Sequence, residues 1–366
     1  GTTFVRTDLR GINTRQGSDF SEAYLIRSNL FEVTLDSVDL SQVIFEECNL
    51  RHADLTRPKL HATTFTDCDL SNANLEEQDA EGLDFSRSNL SDAGFEGVVL
   101  EDARFEGARM DRARFNQSDV SGAVMTDVKA SRVDFEGANL ERVAFSQAEL
   151  FAANFVDAAL YGAILQSARI GGNTLFHPPS SDDSESMVVY DPRVDAEEPE
   201  GVVTEPGSLQ KAQSVYQTLE TVMMENAYGQ RASRYFLNRK EMERRMNLQN
   251  QDLKAIIGNY GAKLSCGYGE SFRYLFGWSA GLIVASAFVY PLIGLEHGEL
   301  GDLTYGEQGL ESLIFGLQFS ISAFTGLGYG QFDVNSMGEL LATVETAAGV
   351  VFFGLFVFVL TRRVNR

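Results

Sequence analysis

Between Phe20 and Leu175 every fifth residue is large and apolar, running Leu25, Leu30, Leu35, Leu40, Phe45, Leu50 and Leu55 through to Phe155, Leu160, Leu165 and Ile170. Of these 32 positions only Ala80 and Ala130 depart from the rule. Two residues earlier in each unit the side chain is small or β-branched, as at Ala23, Ser28, Val33, Cys48, Ala53, Ala103 and Ala138; Pro58, Gln78, Leu83 and Asn173 are exceptions. A period of five fits neither a helix, at 3.6 residues per turn, nor a strand, at two.

Ala53-Asp54-Leu55, Ala73-Asn74-Leu75 and Ala138-Asn139-Leu140 resemble the pentapeptide-repeat motif A(D/N)LXX. The resemblance implies a right-handed quadrilateral β-helix over residues 1–176, with one unit per side and four per coil. The rings test this independently, because residues 20 apart would then stack on one face. Phe45, Phe65, Phe85, Phe105 and Phe145 form one column, and Phe95, Phe115, Phe135 and Phe155 form another, half a coil out of phase. Residues 20–175 give about eight coils, a rod roughly 37 Å tall at ~4.8 Å per coil. Cys48 and Cys68, also 20 apart, are expected as stacked core residues, and Gln78, Ala80 and Leu83 as a distorted coil.

The 52 acidic and 30 basic residues leave a net charge of −22, which disfavours a nucleic-acid partner. Six of the bases are Lys and 24 are Arg, a Lys-poor, acid-rich balance like that of halophile proteins. Three cysteines exclude a disulfide scaffold, and the start of the chain does not read as a secretory signal. Enzyme function finds no support: His52, His61, His177 and His297 lack metal-ligand spacing and no nucleophile motif is present. No cofactor is expected.

Residues 177–207 hold five of the seven prolines among nine acids, which reads as a disordered linker. Residues 208–271 follow as a cytosolic α-helical connector, opening at Ser208 as a candidate N-cap. Its basic run, Arg231, Arg234, Arg239, Lys240, Arg244 and Arg245, suits either a solvated face or anionic lipid heads. The connector is similar to one in prokaryotic pentapeptide-repeat channels.

Tyr274–Leu295 carries no charge over 22 residues and predicts a transmembrane helix. Leu340–Thr361 predicts a second, interrupted by Glu345 and stopped by Arg362, Arg363 and Arg366. Between Leu295 and Leu340 there is no Lys or Arg, so the positive-inside rule puts both termini in the cytoplasm of a multi-pass plasma-membrane protein. The acids Glu296, Glu299, Asp302, Glu307 and Glu311 then face outward.

Within that loop the apolar segment Leu310–Phe324 is too short to span twice and precedes Thr325-Gly326-Leu327-Gly328-Tyr329-Gly330. Helix, half-helix, Gly-Tyr-Gly and helix is the order of the two-transmembrane potassium-channel family, and residues 272–366 resemble its pore domain. The resemblance implies a selectivity filter in which carbonyls of residues 325–330 replace the shell of a potassium ion, the only metal expected here. It also implies Glu345 as filter support, Gly349 as a gating hinge in the Glu-x-x-x-Gly spacing, and a homotetramer. Gly326 and Gln331 depart from the common Thr and Asp, so potassium is expected over sodium with a weakened innermost site. The combined reading is a potassium-type cation channel with a cytosolic β-helix as a regulatory or interaction domain for a protein partner. Its alternatives are a non-selective cation channel and a membrane-anchored pentapeptide-repeat binding protein.

Overall fold

The computed structural model describes residues 2–12, 18–35, 37–76, 82–177, 208–298, 300–328 and 330–364. It divides into two compact units, Gly1–Gln249 and Asn250–Arg366. Outside the described residues lie the acidic linker beyond His177, and with it Gln78, Ala80, Glu299, Tyr329 and Arg366.

The first unit opens with strands β1 (Thr3–Val5), β2 (Tyr24–Ile26), β3 (Ile44–Glu46) and β4 (Thr64–Thr66), paired in parallel. The register is 20 residues from β2 to β4, and bridges such as Asp69↔Asn89, Asn89↔Arg109 and Arg109↔Lys129 carry the same offset onward. Nearly every described side turns its corner two residues after the inward side chain, at a residue held at positive φ, as at Arg27 (52°), Asp67 (56°) and Arg112 (60°). Left-handed backbone costs a non-glycine residue roughly 1–2 kcal/mol. Most corner N–H groups offset this by donating one coil onward, as Arg27 does to Glu46 O at 2.9 Å and Arg112 to Ser131 O at 2.9 Å. Corner side chains pair along the same direction, Arg87 with Asp67 at 2.7 Å and Arg112 with Asp92 at 2.6 Å.

The two Phe columns are present and fully buried. Phe45, Phe65, Phe85 and Phe105 stack at 4.9, 5.3 and 5.2 Å between centroids, and Phe95 lies 4.5 Å from Phe115. Rings of opposite columns meet edge to face, Phe85 with Phe95 at 5.8 Å and Phe105 with Phe115 at 5.9 Å. Such pairs add about 0.5–1.5 kcal/mol each to the burial of the rings.

The regular period ends one unit earlier than the sequence suggests. Leu175 is not the inward residue of the last unit; Phe176 is, stacked on Phe155 at 5.0 Å, while Thr174 takes the small interior position. The reason is one extra residue within Gly171-Gly172-Asn173, which changes the bridge offset to 21 residues at Asn154↔Leu175.

The stacked cysteines have a backbone role. On most sides the N–H of the small interior residue closes a tight turn, as Ala108 does onto Phe105 O at 2.9 Å. Where β2, β3 and β4 replace that turn by a short strand, the N–H is taken by a side chain one coil on. Ser28 donates to Cys48 Sγ and Cys48 to Cys68 Sγ, both at 3.4 Å, and Cys68 to Ser88 Oγ at 2.8 Å. A buried N–H needs an acceptor, and this column of small polar side chains supplies one per coil.

An open end of a β-helix exposes unpaired backbone. Here α1 (Ser208–Glu225) and α2 (Gly229–Gln249) cover the last coil, with strands β5 (Glu149–Leu150) and β6 (Arg169–Ile170) beneath. Asn226 stands in for the missing coil: its amide donates to Ala168 O at 2.8 Å and its carbonyl accepts from Ile170 N at 3.1 Å. Glu225 accepts from Ser167 N at 2.9 Å, and Arg231 donates to Gly172 O at 2.7 Å. Leu219, Val222 and Met223 join the core of the rod. The connector expected over 208–271 is thus divided, its first two helices belonging to the β-helix unit. Its basic run is largely consumed there, with Arg239 on Glu220 at 3.0 Å, Lys240 on Glu243 at 2.7 Å, and Arg244 on Glu241.

The second unit contains α3 (Leu253–Cys266), α4 (Phe272–Ile293), α5 (Glu311–Thr325) and α6 (Ser336–Val364). The expected loop between the long helices is partly built: β7 (Leu295–His297) pairs antiparallel with β8 (Gly301–Asp302) and with β9 (Phe332–Val334). This sheet ties the chain leaving the glycine-rich segment back to the end of α4. Phe332 packs there on His297 and Phe319, at 5.2 and 5.8 Å.

Candidate functional site

Helix α5, with 15 residues against 22 and 29, is shorter than its neighbours and lies against both. On the α4 side Gly316 allows the approach, since a Cβ there would run into Ala287 O and meet Pro291 Cδ at 3.1 Å. On the α6 side the contacts repeat at helical spacing. Glu345 meets Ser320, the Thr346 hydroxyl donates to Ala323 O at 2.7 Å, and Gly349 sits against Phe324 O so closely that no Cβ fits. Glycine at 349 is therefore required for packing, whereas a Cβ at Gly354 would meet nothing.

Glu345 is 1% exposed and joins all three helices. Tyr290 of α4 donates to its Oε2 at 2.6 Å, Ser320 of α5 holds Oε1 while also bonding Ile283 O at 3.0 Å, and Ser286 adds a further hydrogen bond. A buried carboxylate needs such saturation. The sequence marks Glu345 but not these partners. Their trace is only that Tyr290 and Ser286 share one face of α4 while Ser320, Ala323 and Phe324 share one of α5.

Thr325 is the last helical residue of α5, its hydroxyl bonded back to Ile321 O at 2.7 Å. Gly326 caps the helix in the left-handed region, φ 70° and ψ 18°, with its N–H on Ala323 O and Leu327 N on Ser322 O at 3.1 Å. This cap is a backbone reason for glycine where the resembled family commonly has threonine. Gly328 and Gly330 follow at φ 87° and 62°. Leu327 is 83% exposed, and Thr325, Gly326, Gly328 and Gly330 are exposed with it. Tyr329, expected in the same segment, lies outside the described residues. A crevice of about 580 Å³ opens beside Thr325 and Gly326, lined by Phe276, Ile283, Phe324, Val350, Phe353 and Phe356. One chain cannot close a ring of carbonyls around an ion.

Two helices are long and apolar enough to cross a membrane by length and composition, Phe272–Ile293 and Ser336–Arg362, with mean hydropathies of 1.7 and 2.1. Only 22% and 17% of their most apolar windows is buried within the chain, which is unlike the core helix of a soluble protein.

Residues 18–95 match the family described as a pentapeptide repeat region, and residues 88–127 and 131–166 match pentapeptide repeats (8 copies). The family matches end at residue 166. Among solved structures the chain is similar to HetL, a pentapeptide repeat protein involved in heterocyst differentiation regulation from the cyanobacterium Nostoc sp. strain PCC 7120. The identity is 27% over 46% of this chain and 84% of that one, with a TM-score of 0.31. It is also similar to the pentapeptide repeat protein Rfr23 from the cyanobacterium Cyanothece 51142, at 20% identity over 31% and 90% and a TM-score of 0.30. QnrB1, a plasmid-mediated fluoroquinolone resistance protein, gives 18% identity over 47% and 90% and a TM-score of 0.32. No curated protein matches the chain.

Proposed function

We propose that this chain, a pentapeptide-repeat protein through its N-terminal half, is one subunit of a homotetrameric potassium-type cation channel in the plasma membrane. The observation that carries the reading is the seating of α5. A 15-residue helix wedged between two long, outwardly apolar helices ends on a run of glycines at positive φ, with Thr325, Gly326, Leu327, Gly328 and Gly330 exposed. Alternating glycines let successive carbonyls point the same way. Four copies of that edge would line a path for a dehydrated cation, with the negative C-terminal ends of four α5 helices aimed at it.

In this reading Glu345 holds the half-helix to both spans, and the Gly349 contact with Phe324 is the place where bending of α6 would be felt at the filter. Gly349 then acts as hinge and packing point together. Both termini lie in the cytoplasm, and the β-helix serves as a regulatory or interaction domain for a protein partner. Purified protein in planar bilayers tests the proposal. Single-channel currents that reverse near the potassium potential under mixed potassium and sodium gradients support it. Currents that follow the total cation gradient without distinguishing potassium from sodium leave a non-selective cation channel, and silence in assembled protein favours a membrane-anchored binding protein.

A further inference from the structure

Helix α3 is capped at both ends, by the Asp252 side chain on Ala255 N at 3.1 Å and by Gly267 in the left-handed region. One face points inward, where Cys266 packs with Leu275 and Val359. The other carries Leu253, Ile257, Tyr260 and Leu264, spaced four, three and four residues apart and exposed by 71, 71, 40 and 49%. Lys254 and Lys263 lie about a quarter turn to either side of that stripe, at 100° per residue, and no Asp or Glu falls between Leu253 and Gly269. Fourteen residues make a helix of about 21 Å, too short to span a bilayer.

What covers the stripe is indicated by its attachments. Leu264 O accepts from the Trp278 indole at 2.8 Å, so α3 is fastened to the first turns of α4. The turn after α3 is held to the far end of α6, where Arg362 reaches Tyr268 O at 3.1 Å and Glu270 at 3.0 Å. The helix thus sits where both apolar helices reach the same boundary. We propose that α3 lies in the surface of the bilayer, its Leu253–Leu264 stripe sunk to the headgroup and acyl boundary and its two lysines among anionic phospholipid heads. An apolar stripe flanked by lysines and free of acids is complementary to such a surface. The proposal rests on the reading that α4 and α6 span the membrane.

Because Trp278 is the chain's single tryptophan and its indole fastens α3, it is kept, and the parent's own quenching is the background subtracted from each depth measurement. Over that background Ile257→Trp reports on the stripe, Leu253→Trp repeats the measurement at a second exposed position, and Phe288→Trp reports on the second half of α4, inside the proposed span. The full chain is reconstituted into vesicles of phosphatidylglycerol and phosphatidylcholine carrying bromines at shallow or deep acyl positions. We expect Ile257→Trp and Leu253→Trp to be quenched at least about twofold more by shallow than by deep bromines, as fits a helix seated 5–10 Å into the interface. Phe288→Trp should show the opposite order, and omitting phosphatidylglycerol should weaken the shallow quenching. Quenching of the stripe by aqueous iodide alone, with Phe288→Trp still quenched by deep bromines, overturns this inference and leaves the spanning reading intact. Protection of the stripe from both iodide and bromines also overturns it, in favour of contact with protein. If Phe288→Trp too escapes every bromine, the spanning reading falls and this inference with it.

Discussion

Tyr290 and Glu345 meet through a 2.6 Å hydrogen bond between helices α4 and α6, 55 residues apart in sequence and both fully buried. With Ser320 on the other carboxylate oxygen, that bond makes one acid the junction of three helices. Tyr290→Phe and Ser320→Ala should each lower the stability of the second unit by about 1–2 kcal/mol. Their effects should not add, because both act on one carboxylate. Thermal unfolding of the two single variants and the double variant in detergent checks this; additive losses would show that the network is not one unit.

Gly349 and Gly354 allow a paired comparison on one helix. Gly349→Ala would force its methyl into Phe324 O and should lower stability by about 1–3 kcal/mol. Gly354→Ala, with open space around the added carbon, should be neutral or slightly stabilising through helix propensity. Melting temperature gives the readout. Equal tolerance at both positions would contradict the contact.

At Gly326 the expectation from resemblance and the geometry point in different directions. Threonine there would restore a hydroxyl at the cavity end, but at φ 70° a β-branched residue is strained. Gly326→Thr should destabilise the unit by about 1–2 kcal/mol or more, and Gly326→Asn, a residue that tolerates this region, by less. Melting of the two variants, beside barium block of whichever conducts, separates backbone strain from loss of an oxygen ligand.

Inside the rod, Phe105 is flanked by Phe85 in its own column and meets Phe95 and Phe115 edge to face. Phe105→Ala should cost about 3–5 kcal/mol, and Phe105→Asp more, since it buries an unpaired charge. Residues 1–249, which keep the capping helices, are the fragment to melt. Hydrogen exchange should rise first in the coils next to residue 105, as expected when each coil contacts only its neighbours.

One surface cluster gives the rod an unusual pH response. Burial and the adjacent Glu96 carboxylate push Glu76 above the usual 4.5, with Arg114 partly opposing them. Glu96 Oε2 is itself buried without a hydrogen-bond partner among the described residues. A carboxyl whose folded value is raised binds its proton more tightly when folded, so its contribution to stability falls as pH rises from about 4.5 through the raised value. Glu76→Gln should therefore stabilise fragment 1–249 at pH 7 and change little at pH 4. Asp67 and Asp92 run the other way: Arg87 and Arg112 hold them below 3.8, so what they add is lost as pH falls below that value. A Glu76→Gln variant less stable than the parent at pH 7 would refute the assignment.

Much of this was legible in the residue order. The five-residue period and the Phe columns fix coil, face and register because each inward side chain is a large ring or branched chain with no other place to go. What escaped was whatever depends on a single residue's partners. The extra residue within Gly171-Gly172-Asn173 hides inside a permissive glycine pair, so Leu175 reads as inward while Phe176 is. Arg231 to Arg245 read as a basic face because their acceptors, Gly172 O among them, are distant or lie on the same helix. Glu345 stands out as a charge in an apolar run, whereas Ser320 and Tyr290 look like ordinary membrane-helix residues until α5 is seated between its neighbours.

The 20-residue register also restricts how such a chain can change length. Removing residues 96–115 would bring Val120 into the slot of Leu100 and leave every later side chain on its own face. Removing five residues would keep inside and outside distinct but turn each later column by a quarter coil, setting phenylalanines against leucines. Any number that is not a multiple of five would exchange interior for surface. Viable insertions and deletions in the rod are therefore quantised, and each permitted step moves whatever is attached to its end by about 4.8 Å. A lineage could tune the reach of this domain only in increments of one coil, with one-residue irregularities tolerated, among the described residues, at the two ends of the rod: between β1 and β2, and in the last coil beneath the capping helices.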